Sequence, residues 1–462
     1  MASSEGATIV IPMSVVDPSQ ERRGRSTKSV HTISNFIRTG YSSSSSSEAP
    51  PYLTRRLTIL FALAAGFTSA NLAYSQPILP LLANSFAVSQ SQIANVPALA
   101  QAGNAVGLLM ILPLADFFPR RAFTLTLMGA TIVLWLGLCL APNYASFTTL
   151  TFLSALFTPV TQLLLPLVSE LSTSRTRAFN LSIMSTGPTL GIFIGRVISG
   201  IVADHTSWRN VYWLGLALQL VVFVLLFIFM PEYGSLNPSR TTKELIVTYP
   251  KVLWSIIILY YRHPTLVQAG LMAFSTFFAV SSFWTTVTFL LSDPPFRYNS
   301  GQIGLLGLIG IATMFAAPLC GKYIIRPIGE PLLSAGIGKI ISLIGIFLGT
   351  FLGTHSIAGP IIQATLLDIG LVILQISNRV ALHPLEPEMR NRVNTAFVSV
   401  LYLGNLVGTK AGSVVYHEYG GWIPTGAVSI GVIVFGFVVI GLRGPYENRW
   451  IGWRGGWKPK RG

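Results

Sequence analysis

The stretch Gly187-Pro188-Thr189-Leu190-Gly191-Ile192-Phe193-Ile194-Gly195 sets a glycine at every fourth position of an apolar run. Gly404-Asn405-Leu406-Val407-Gly408-Thr409-Lys410-Ala411-Gly412 repeats the pattern 217 residues later (404 − 187). In a helix this spacing lines the glycines on one face, where a second helix can come close. The surroundings repeat too. A basic residue precedes each stretch (Arg177, Arg392) and a tryptophan follows the loop after it (Trp208, Trp422). Earlier in each half, Pro113-Leu114-Ala115-Asp116 is echoed by Pro318-Leu319-Cys320-Gly321. Two weakly similar halves rich in long apolar segments read as a duplicated membrane bundle, an architecture that places a path between its repeats.

Composition agrees. Charged residues make up only 10% of the chain and hydrophobic ones 51%, against roughly 25% charged in soluble proteins. A net charge of +15 raises nucleic acid as a partner, but the basic residues gather on no single domain, so none is expected. Cys139 and Cys320 lie inside apolar segments and read as buried, unpaired thiols. Residues 1–56 hold the serine run Ser42 to Ser47 and scattered arginines, and read as a disordered cytosolic tail. No apolar core of signal-peptide length follows the early charges, so the first membrane helix is expected to act as its own signal.

From Leu57 onward, twelve segments of about twenty residues are long enough to cross roughly 30 Å of hydrocarbon. In the first half they are Leu57–Leu82, Ile93–Leu114, Ala122–Leu140, Leu150–Leu171, Ala178–Ala203 and Val211–Met230. The second half gives Leu266–Leu291, Ile303–Gly321, Leu332–Leu352, Ile357–Ile376, Ala396–Tyr416 and Ile423–Leu442. The expected fold is therefore all-α and membrane-integral, with two pseudo-symmetric six-helix bundles over residues 57–231 and 264–442. Residues 232–263 form a linker in which Leu245, Tyr249, Val252 and Ile256 predict an amphipathic helix, kinked or restarted at Pro250. Residues 443–462 form a basic tail.

Charge fixes the orientation. Arg55 and Arg56, Arg120 and Arg121, Arg175 and Arg177, Lys251 and Arg262, Lys322 and Arg326, Arg390 and Arg392, and the C-terminal tail all fall on one side. The opposite loops carry only Arg209 and Arg297. This bias predicts both termini in the cytosol of a multi-pass cell-membrane protein, with the sequon at Asn180 unglycosylated on that side.

Leu114-Ala115-Asp116-Phe117-Phe118-Pro119-Arg120-Arg121, between spans two and three, resembles the loop motif of the major facilitator superfamily. Asp116, Arg120 and Arg121 match, while Leu112 and Pro119 stand where glycines are usual. Asn71 to Pro77, Gln162 to Pro166, Phe283 to Thr286, and Asp368 to Gly370 with Gln375 and Asn378 are similar to a branch of drug-efflux-type proton antiporters and permeases of bacteria and fungi. The resemblance implies a secondary transporter that exports a small organic compound, such as a secondary metabolite, toxin or drug, in exchange for protons. A proton-coupled importer of a sugar or other nutrient stands second, and a non-transporting solute receptor third. It implies a lipid bilayer and a small organic substrate as partners, function as a monomer, and no cofactor.

Within that frame the residues divide by chemistry. Spans one, four, seven and ten line the cavity in this superfamily, so Asn71, Tyr74, Gln76, Gln162, Trp284, Gln375 and Asn378 are expected to bind substrate through amides and rings. Asp116, Arg120 and Arg121 are expected to latch one face, and Gly187, Pro188 and Arg196 to gate. Among the ionisable groups Arg196, Asp368, Arg379 and Lys410, Asp368 is the lone mid-span carboxylate and the first candidate for proton coupling, with Glu170 at the end of span four the second. The six histidines lack metal-ligand spacing, no glycine–lysine phosphate cradle appears, and no catalytic order is recognisable. No metal and no enzymatic activity are expected.

Overall fold

The computed structural model describes residues 53–173, 176–232, 242–386, 389–447 and 449–453. All but the last four positions of the 1–56 tail, and the basic tail beyond residue 453, lie outside them. Among the described residues the chain is helical, with one isolated bridge between Arg443 and Gly452. Eleven helices among the described residues are long and apolar enough to cross a bilayer. They supply spans two to six as Gln90–Ala115, Arg120–Leu140, Tyr144–Leu171, Phe179–His205 and Trp208–Phe229. Spans seven to twelve are Pro264–Ser292, Ser300–Ile328, Pro331–Leu352, Ala358–Leu382, Arg390–Glu418 and Trp422–Leu442.

Span one departs from the expected single helix. It begins at Arg55, where the Thr54 hydroxyl accepts the Leu57 N–H at 3.3 Å, and its first helix stops at Ala70. A turn then leads to a tight 3-10 segment, Gln76–Ile78, and a short helix, Leu79–Phe86. Pro77 and Pro80 lack the N–H that a continuous helix would need, and this break falls where they sit. Counted as a crossing, the broken segment makes the fold consistent with twelve spans. The two halves open their second helices in the same way. Ser89 with Gln92, before span two, and Asn299 with Gln302, before span eight, each close a reciprocal capping box.

The glycine ladders decide which helices touch. A β-carbon at Gly187 would stand 2.1 Å from the Ala62 carbonyl oxygen, and one at Gly191 2.0 Å from that of Gly66. In the second half, Gly404 and Gly408 would meet the Phe274 and Phe278 oxygens at 2.5 Å and 2.2 Å. Span five thus lies backbone to backbone on span one, and span eleven on span seven. The helix runs on through Pro188 from Arg177 to His205. Aromatic packing fills the rest of the first bundle, where Trp135, Phe147, Trp208 and Tyr212 form one cluster. Both cysteines are buried and free.

The linker forms one helix, Thr242–Arg262, that continues through Pro250 instead of restarting there. Val252, Ile256 and Leu259 face the protein while Ile246, Val247, Trp254 and Tyr261 stay exposed, so it is two-sided as expected. The Leu245 side chain lies outside the described residues. Tyr249 donates to the Met110 carbonyl of span two and Tyr260 to that of Ala396 in span eleven, tying both halves to the linker. Burial pushes the Tyr260 phenol up to about 12, which keeps it a donor at neutral pH.

Gly191→Ala and Gly408→Ala should each destabilise the protein by about 1–3 kcal/mol, the scale of overpacking a close contact. Gly431→Ala, where a β-carbon meets nothing within 4 Å, should be neutral or gain up to ~1 kcal/mol in helix propensity. Thermal unfolding in detergent reads the difference, and three equal melting temperatures would mean the ladders are not load points.

Candidate functional site

Four of the expected residues meet in one layer between the halves. Gln76 follows the break in span one, and its Oε1 accepts the Arg196 Nε–H of span five at 2.7 Å. The Arg196 guanidinium lies 4.0 Å from the ring centre of Trp284 on span seven and 5.2 Å from that of Phe193. Asp368 of span ten lies beside the Trp284 indole and in Coulombic range of Arg196. All four side chains are at least nine-tenths buried. Arg196, Trp284 and Asp368 sit nine, eight and ten residues from the same-side ends of their helices. At 1.5 Å per residue that is a depth of about 12–15 Å for each.

The charges in this layer are close but not joined. Arginine–carboxylate pairs form elsewhere, among them Arg120 with Glu170, Arg121 with Glu232, and Arg262 with Glu386. The Oδ2 atom of Asp368 is buried without a partner. Both Nη nitrogens of Arg196 also lack a hydrogen-bond partner among the described residues. A cation from one half and a carboxylate from the other therefore share a low-dielectric layer with an indole between them, an arrangement sensitive to protonation and to any change in the spacing of the halves.

The other expected residues are placed apart from this layer. Tyr74 stands edge-on to Trp135, ring centres 5.7 Å apart, in the aromatic core of the first half. Asn71 accepts from Gln219 at 3.1 Å, and Asn378 donates to the Ala269 carbonyl at 3.2 Å, so both hold helices together inside a bundle. Gln375 is half-buried on span ten, and Arg379 one turn on is exposed. Gln162 lines a cleft of about 520 Å³, its open mouth included, at the rim that carries the basic loops. Pro113 and Arg120 of the first half, Val252 of the linker, and Asn391 and Arg392 of the second half also line it. Cleft and charged layer are thus different places along the same interface.

Opposite the basic rim the halves are sealed. A β-carbon at Gly200 would meet the Ser300 oxygen at 2.4 Å, one at Gly304 the Arg196 oxygen at 2.8 Å, and one at Gly307 the Phe193 oxygen at 2.8 Å. Span eight therefore presses its glycines onto span five directly beside Arg196. Lys410 donates to the Asn95 side chain at 2.6 Å, joining span eleven to span two. At the basic rim, Arg120 is buried against Glu170, while Arg121 donates to the Phe227 carbonyl at 2.7 Å. Asp116 sits in a tight turn, Leu112–Asp116, and its side chain lies outside the described residues.

One buried cation was absent from the sequence reading. Lys339, in span nine, is fully buried and donates to the Met272 carbonyl at 3.1 Å, the Ser275 hydroxyl at 2.6 Å and the Thr276 hydroxyl at 3.1 Å. The signal was available as a lone lysine inside the apolar run Leu332 to Leu352. No cluster of potential metal ligands occurs among the described residues.

Comparison with known proteins converges on one family. The sequence profile of the Major Facilitator Superfamily matches residues 61–409. The chain is 28% identical over 375 residues to the uncharacterized transporter YgaY of Escherichia coli, covering 80% of this chain and 91% of that one. It is 25% identical over 400 residues to a probable transporter of Streptomyces coelicolor, covering 86% and 90%. Among solved structures, the human organic anion transporter MFSD10 superimposes with a TM-score of 0.63 at 18% identity, covering 85% of this chain and 100% of that one. Likeness at that identity concerns the fold alone.

Gln76→Ala should cost about 1.5–3 kcal/mol, because it strips a buried guanidinium of its one hydrogen bond. Gln162→Ala, at an open cleft, should stay within ~0.5 kcal/mol of the parent. Unfolding curves of the two purified variants check this, and equal losses would show that Gln76 does not anchor Arg196.

Proposed function

The chain belongs to the Major Facilitator Superfamily, and from that premise we propose that it moves a small organic compound across the membrane by alternating access, coupled to protons at Asp368. The observation that carries this reading is the layer in which Arg196 and Asp368, from opposite halves, lie near each other without a direct ion pair. Rocking the halves changes their separation, and with it the cost of a charged Asp368. The seal between spans five and eight supports assigning this structure to the state closed opposite the basic rim. Asp116, Arg120 and Arg121 then act at the basic rim as the latch that must form when the other side opens, and Gly187 and Pro188 belong to the helix that rocks.

Two senses of coupling fit the cycle. Export in exchange for protons is what the resemblance to efflux-type antiporters implies, and it requires substrate and proton to compete for the layer. Loading of both together, which would drive import, is favoured by one observation: the unpartnered Nη edge of Arg196. In either case we propose a monomer in the cell membrane, and the charge bias across its loops supports a cytosolic basic rim and cytosolic termini.

The test is flux in vesicles. Full-length protein is reconstituted around a pH-sensitive dye, an imposed pH gradient is applied, and candidate organic compounds are added. A transported compound should move protons, and the sign of the dye change reads exchange against cotransport. Asp368→Asn should abolish gradient-driven flux while labelled-for-unlabelled exchange persists. Full gradient-driven flux by that variant would remove Asp368 from coupling, and flux of the unmodified protein that ignores the gradient would sink proton coupling itself.

A further inference from the structure

We propose that Arg196 is a substrate-binding residue and that the substrate carries a carboxylate on a compact apolar or aromatic body. The inference rests on reading the interfacial layer as the transport site. Arginine offers five N–H donors in a planar fork. Here Gln76 engages only the Nε–H, the Trp284 ring covers one face, and the Nη edge is unused. The side chain is nine-tenths buried, but its Nη nitrogens are not closed off from solvent, so that edge stays open to a ligand.

Asp368 does not fill that edge. The carboxylate leans on the Trp284 indole, makes no direct ion pair with Arg196, and keeps one oxygen unpartnered. A guanidinium fixed at one edge and one face, with its other edge open, is preorganised for two parallel hydrogen bonds to a planar anion. The neighbouring surface suits what such an anion would be attached to. Phe193 and Phe283 flank Trp284, with ring centres 6.0 Å and 5.2 Å from it, so the wall behind the guanidinium is aromatic. A cationic substrate would meet Arg196 as a like charge. A neutral one would leave the guanidinium unpaired. An anion on Arg196 and a proton on Asp368 reinforce each other, because protonation removes the like charge beside the ligand. The inference therefore sides with cotransport over exchange.

Three probes of one shape and different charge test it: benzoate, benzamide and benzylamine, each titrated at constant ionic strength into the purified full-length protein. Thermal stabilisation and equilibrium binding are read with no gradient, so failure of proton coupling would leave the result standing. Benzoate should bind at least tenfold more tightly than either analogue, the size of a hydrogen bond to a charged group. Arg196→Lys keeps the charge and loses the fork, and should lose that preference at least tenfold. Trp284→Phe keeps a ring and should weaken benzoate less than Arg196→Lys does. Equal binding of the three probes, preference for benzylamine, or no response to benzoate in the unmodified protein would each overturn the proposal without reference to any variant. Unchanged benzoate binding by a folded Arg196→Lys would overturn it as well.

Discussion

Lipid gives helices no hydrophobic reason to associate, since hydrocarbon surrounds them whether they pack or not. What remains is close contact, and the backbone seams of span five on span one and span eleven on span seven provide it. The rest of the interface takes its geometry from span five. Gly187, Gly191 and Gly195 turn toward span one. Arg196 comes one residue later, about 100° further round the helix, and so points away from that seam toward the other half. Phe193 and Gly200, three before and four after, share its face and take up the glycines of span eight. One helix thus carries a fixed face to its own bundle and a second, separable face to the opposite bundle.

That division explains what the sequence made legible. Helices announce themselves by apolar length, the seam faces by repeated small residues, and the buried thiols by their apolar neighbours. All are local signals. The meeting of Gln76, Arg196, Trp284 and Asp368 is not local. Arg196 and Asp368 are 172 residues apart (368 − 196) and in different halves, so no spacing rule joins them. Arg379 and Lys410 are nearer to Asp368 in sequence than Arg196 is. In the fold Arg379 lies about three helical turns from Asp368 with its side chain exposed, and Lys410 is taken by Asn95. The expected cavity amides dispersed for the same reason, because span membership assigns a helix but not the direction of a side chain on it. The capping boxes are local signals as well, written in the sequence as Ser89-x-x-Gln92 and Asn299-x-x-Gln302.

Lys339 and Arg196 show how two buried cations can have opposite meanings. An ammonium has three N–H donors, and Lys339 spends them on Met272, Ser275 and Thr276, all on span seven of its own half. Gly436 makes room for it, for a β-carbon there would stand 2.4 Å from the Nζ atom. Nothing in that arrangement is unfinished, and no motion between halves would change it. Lys339 fixes the back of the helix whose front carries Trp284. Arg196 is held by one hydrogen bond within its own half and by a ring from the other. In the proposed cycle, separation of the halves on that side would let the Gln76 bond travel with Arg196 while the Trp284 contact breaks. A cation satisfied within one rigid body is part of the scaffold. A cation half-satisfied across two bodies has an energy that depends on their spacing and on what else fills the layer, and only such a group can pass the state of its ligands to the motion of the bundle.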